Sequence, residues 1–164
     1  MSAVEKAMRG FPELLPGHVW LAGAGPGDPG LLTLHALHAL GAGEIRVCGP
    51  APLLPEAGTT AGCVVGGDFD AMLEGVDAVM MLRLQRERME EGLVPSLEDY
   101  HARYGLTAAR LARAAPGAAV LHPGPINRGV EMTDEVADGP QSWVLRQVAN
   151  GVAVRMAVLE HLLG

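Results

Sequence analysis

The sequence predicts an α/β domain built on a five-stranded parallel sheet in the spatial order 3-2-1-4-5. Short β-branched, apolar runs alternate along the chain with segments of helical periodicity, and glycine or proline separates nearly every pair. Strands that alternate with helices pair in parallel through right-handed crossovers, which covers both sheet faces and puts ligand sites at the strands' carboxyl ends. Two βαβ halves meeting at strand one give the expected order. The predicted architecture is a three-layer, Rossmann-like domain over residues 18–164, preceded by an arm at 1–17 in which Pro12 and Pro16 prevent any long element.

Strand one is read at residues 18–23, followed by the glycine turn "AGAGPGDPG" and a helix at about 29–41 with Leu34, Leu37 and Leu40 on one face. "EIRVCG" is the second strand and "GCVVGG" the third. A helix follows with Asp68 as N-cap, then "DAVMMLR" as the fourth strand. The polar stretch from Gln85 to Leu106 is broken at Pro95 and reads as a long loop carrying a short helix from about Ser96. Thr107 caps the next helix, "GAAVLHPGP" is the fifth strand with a stiff turn, and a long helix runs from Gln141 to Leu163.

Composition narrows the function. Twelve basic residues against nineteen acidic ones give a net charge of −7, so the electrostatic footprint of a nucleic-acid or anionic-membrane binder is missing. Ser142–Leu163 is apolar, but Arg146, Arg155 and Glu160 interrupt it, which argues against a bilayer span. Two cysteines, Cys48 and Cys63, and no leader peptide read as a reduced, cytoplasmic chain.

His35 and His38 lie three apart on one helix, without the further ligands a metal needs, and no metal is expected. Arg86, Arg88, Glu90 and Glu91 alternate in sign as a solvated face does, and His101, Arg103 and Tyr104 read as surface residues. Ser142 lacks a histidine or glycine elbow and reads as a helix cap.

The glycine turn holds Gly23, Gly25, Gly27 and Gly30. Glycines there let backbone N–H groups approach an anion, yet Pro26 and Pro29 remove two donors and the spacing is not that of a dinucleotide loop. A bare structural turn and a ligand loop both stay open. "GHVWLAGAGPGDPGLLTLHALHAL" resembles the amino-terminal signature of the uroporphyrinogen-III C-methyltransferases, which implies that Pro26 lies beside an S-adenosylmethionine pocket. That resemblance covers residues 1–40 and then stops.

From there the runs "GAGEIRVCGPAPLLP", "DAVMMLRLQRERM", "EDYHARYGLT", "LHPGPINRGVE" and "QVANGVAVRMAVL" resemble the aspartate-binding half of aspartate carbamoyltransferase, over residues 41–164. The resemblance implies that Arg83 grips a carboxylate of aspartate with Gln85 beside it, and that Gly124 and Pro125 offer backbone groups to carbamoyl phosphate. Arg83 ends an apolar strand, where its planar fork suits bidentate carboxylate binding; a salt bridge to Glu87 or Asp70 is the structural alternative.

Transcarbamoylation also needs a cationic cradle for the leaving phosphate. In the family a Ser-Thr-Arg-Thr-Arg motif in an amino-terminal domain supplies it, and this sequence has no such motif. It also has no basic residue between Arg9 and Arg46, where the family carries a second arginine clamp. The expectation is therefore a chimera, engineered or selected, without catalytic residues, cofactor or turnover of its own, and with weak binding of aspartate or phosphate. Two alternatives remain: a transferase half active when paired with a carbamoyl-phosphate domain, and an S-adenosylmethionine module. Val144, Val148, Val152, Met156 and Leu159 form an apolar stripe that predicts a homodimer or higher oligomer.

Overall fold

The computed structural model describes residues 19–23, 43–54, 62–84 and 96–163. Five strands, β1 (Val19–Gly23), β2 (Glu44–Cys48), β3 (Cys63–Gly66), β4 (Ala78–Met80) and β5 (Ala119–Leu121), form one sheet in the order β3-β2-β1-β4-β5. All neighbours are parallel, and Gly23 pairs with Cys48, Ala22 with Met80, and Met80 with Leu121. The carboxyl ends of β1, β4 and β5 thus lie side by side.

The pleat sorts the core into two faces. Ile45, Val47, Ala78, Ala119 and Leu121 point to one side, where they meet Leu53, Leu54 and Trp143. Cys48, Val79, Met81 and Val120 point to the other, under Phe69, Leu73, Leu106, Leu111, Met132 and Val136. Strands buried on both faces are why these runs read as continuously apolar.

Helices α1 (Phe69–Leu73), α2 (Leu97–Tyr104), α3 (Ala108–Leu111), α4 (Asp134–Ala137) and α5 (Val144–Leu163), with a 3-10 turn at Ala51–Leu53, complete the described elements. The caps expected at Asp68 and Thr107 are in place, accepting from Ala71 N at 3.1 Å and Arg110 N at 3.3 Å, and Ser96, expected only as a helix start, accepts from Asp99 N at 2.9 Å. Ser142, expected as a cap, is not one: the helix begins two residues later, at Val144. Glu98 and Asp99 in the first turn of α2 suit its positive dipole end. Ser96→Ala is expected to cost about 1 kcal/mol, read from denaturant unfolding.

Three expectations change. The long helix begins at Val144, because Gln141–Trp143 runs along the edge of β5: Val120 N donates to Gln141 O at 2.9 Å and Trp143 N to Val120 O at 2.8 Å. An edge strand has backbone groups to satisfy, and this segment takes them, so Ser142 bridges to Val120. His101 and Tyr104 are not plain surface residues. The His101 Nδ1 sits 3.1 Å from Val130 O, and Tyr104 packs on the core. Within the apolar stripe Val144 is buried, while Val148, Val152, Met156 and Leu159 are exposed. No helix among the described residues is long and apolar enough to cross a membrane. The arm at 1–17, the glycine turn, and the helix expected at 29–41 with its two histidines lie outside the described residues.

Candidate functional site

Arg83 lies three residues beyond β4, and Gly124 and Pro125 lie three and four residues beyond β5. Because β4 and β5 are parallel neighbours, both segments leave the same edge of the sheet, and Met81 N still donates to Leu121 O at 2.9 Å past the last ladder pair. Met81 and Leu84 are buried while Leu82 and Arg83 are half-buried, so the exit of β4 is anchored on its apolar residues. Asp70, one acid considered as a partner for Arg83, instead meets Arg110 Nε at 2.8 Å. Gln85, Glu87, the Arg86–Glu91 charge pattern and Pro26 fall outside the described residues.

The turn after β5 is built around a buried histidine. His122 is fully buried, its N–H donates to Gln147 Oε1 at 2.8 Å, and its Nδ1 accepts from Gly124 N at 2.9 Å. Accepting at Nδ1 places the ring proton on Nε2, which has no hydrogen-bond partner among the described residues. Burial pulls the His122 pKa down to about 4, so the ring is neutral at pH 7.

Gly124 has φ +69°, and a Cβ there would stand 3.2 Å from Val148 Cγ2 on α5. Gly124→Ala is therefore expected to destabilise by about 1–3 kcal/mol through left-handed strain and crowding, measured as a shift in the denaturation midpoint. The peptide bond between Gly124 and Pro125 is cis. Pro125 has no N–H and the Gly124 N–H is used by His122, so neither residue has an N–H left to offer a ligand.

A second buried polar group joins the two segments. Glu131 is fully buried; its Oε1 accepts from Leu84 N at 2.8 Å and Asn127 Nδ2 at 2.7 Å, and its Oε2 accepts from Asn127 N at 2.8 Å. Asn127 Nδ2 also reaches Leu84 O at 3.3 Å. Glu131, Asn127 and His122 were not singled out from the sequence. The "NRGVE" spacing puts Asn127 and Glu131 four apart, but nothing local marks a glutamate as buried. Nearby Arg128 stays outside this network and pairs with Asp134 and Asp138 on the surface. No cluster of metal-ligating side chains occurs among the described residues.

The fold and this edge define a parallel α/β ligand-binding domain whose candidate site is shared by the exits of β4 and β5. Residues 58–162 match the family model for the aspartate/ornithine carbamoyltransferase Asp/Orn binding domain, and the chain belongs to that family. It is 84% identical over 131 residues to an aspartate carbamoyltransferase catalytic subunit of Stenotrophomonas maltophilia, covering 80% of this chain and 42% of that one. A Xylella fastidiosa relative of the same description is 82% identical over 132 residues, covering 80% and 41%. The chain thus spans about two fifths of the length of these relatives.

Among solved structures, ornithine carbamoyltransferase from Gloeobacter violaceus superposes with a TM-score of 0.75 at 26% identity, over 97% of this chain and 55% of that one. The Thermus thermophilus enzyme of the same name gives 0.73 at 22% identity, over 99% and 52%, a likeness of fold alone. These comparisons lend no support to a methyltransferase origin for residues 1–40 or to an engineered chimera.

Proposed function

We propose that the chain is the aspartate-binding half of a carbamoyltransferase, acting when a carbamoyl-phosphate domain completes the cleft. The observation that carries this reading is the shared edge: the Arg83 segment and the Gly124–Pro125 turn leave adjacent parallel strands and are tied together through Glu131. Relatives more than 80% identical are described as aspartate carbamoyltransferase catalytic subunits, which favours aspartate as the amino acid.

In this reading the Arg83 fork holds a carboxylate of aspartate, with Gln85 beside it, and leaves the amino nitrogen to attack the carbamoyl carbon. A C–N bond forms, the C–O bond to phosphate breaks, and the proton lost by the uncharged amino group passes to the departing phosphate. Carbonyl oxygens of the Gly124–Pro125 turn suit the NH2 of the carbamoyl group, since they accept hydrogen bonds. They do not suit phosphate oxygens, which need donors. Neutralising the departing phosphate falls to the complementary domain. The exposed apolar face of α5, with Val148, Val152, Met156 and Leu159, is where we place contact with that domain; self-association through the same face is the competing occupancy.

This half-site binds aspartate no more tightly than about 1 mM, near 4 kcal/mol, and turns nothing over alone. Adding the unmatched remainder of the Stenotrophomonas relative as a separate polypeptide is expected to yield carbamoyl-aspartate. Product formed by the chain alone, or none from the mixture despite a stable complex, would refute the proposal.

A further inference from the structure

We propose that Glu131, with Asn127, is a positioning device that fixes the exit of β4 relative to the turn after β5. It thereby sets where Arg83 stands against Gly124 and Pro125. The inference rests on the functional reading above for its consequence, and on the hydrogen bonds alone for its geometry.

Leu84 lies between the two residues assigned to aspartate, Arg83 and Gln85. Both of its backbone polar groups are held from the far side of the site: its N–H by Glu131 Oε1 at 2.8 Å, its carbonyl by Asn127 Nδ2 at 3.3 Å. The Leu84 side chain is buried as well, so the two peptide units that meet at Leu84 are fixed by packing and by one hydrogen bond each. At the other end of the clamp, Glu131 Oε2 takes the N–H of Asn127, two residues beyond Pro125. One side chain therefore holds both segments that the proposed site uses.

Glutamate is suited to this place because it offers only acceptors. Three N–H donors converge on its two oxygens, and no other side chain of similar length meets all three. Glutamine would turn an NH2 toward at least one of these donors. The expectation is a local lesion with its effect on ligand binding transmitted through Arg83.

Two variants test this. In Glu131→Gln and Asn127→Ala, amide hydrogen exchange at Leu84 is expected to rise about tenfold, while Val47 in β2 stays as in the parent. Asn127 is only half-buried, so its variant keeps the test informative if Glu131→Gln fails to fold. In an aspartate titration followed by amide shifts, both variants are expected to bind about tenfold more weakly. Read as kcat/KM for aspartate in the complex with the complementary domain, the same tenfold loss should vanish in an Arg83→Ala background, since a device acting through Arg83 has nothing left to position. Exchange at Leu84 unchanged in both variants overturns the clamp, and so does a full tenfold loss of kcat/KM that persists without Arg83. If the parent shows no aspartate-dependent shifts, the functional reading fails, and the exchange measurements still decide the clamp.

Discussion

Replacing Arg83 with alanine is expected to lower kcat/KM for aspartate about a hundredfold in the complex with the complementary domain, and to abolish aspartate-dependent shifts in the isolated chain. A charge-assisted, two-pronged contact to a carboxylate is worth roughly 2–3 kcal/mol more than the water that replaces it, which sets the size of the effect. Arg83→Lys is expected to recover only part of it, because an ammonium group is a point charge and cannot match both carboxylate oxygens in one plane. Stability should change little in either variant, since the segment is anchored by the buried Met81 and Leu84. Steady-state carbamoyl-aspartate formation together with thermal unfolding separates these outcomes. An unchanged KM for aspartate in Arg83→Ala would move the site elsewhere on the sheet.

The parts of this protein that were legible in its sequence are those decided locally. Asp68 and Thr107 announce their helices, and Ser96 marks the start of one, because a cap needs only its own side chain and an N–H three residues on. Strand alternation and the turn after Leu121 were legible for the same reason. Helix α4 was not, since four residues between Thr133 and Asp138 carry too little periodicity. The start of α5 was misplaced because pairing of Gln141–Trp143 with Val120 overrides helical propensity, and that pairing joins segments more than twenty residues apart. At the site, Arg83 and the Gly124–Pro125 turn came from family resemblance. The Glu131 clamp links positions 47 apart and leaves no periodic trace, so only the folded chain reveals it.

The same distinction governs His122, whose sequence context shows a stiff turn but not a buried ring. Acid is expected to destabilise this domain through that ring. In the unfolded chain the imidazole takes up a proton near its ordinary pKa of about 6.5, whereas in the folded protein burial holds it down to about 4. Between those values the unfolded state binds the extra proton, so stability falls as pH falls across this window and is fully present above it. At about 1.4 kcal/mol per unit, the contribution is roughly 3 kcal/mol. The structural reason is specific: Nδ1 already accepts the Gly124 N–H at 2.9 Å, and a proton there would set donor against donor and force the turn open. His122→Asn removes the titration while its side-chain oxygen can still accept from the N–H two residues on, as asparagine does in turns. Its stability is expected to be lower at pH 7 and to change less between pH 6.5 and 4. Urea unfolding of both proteins at several pH values gives the difference directly, with the acid sensitivity of the remaining groups common to the two. Parallel curves would show that His122 does not carry the effect.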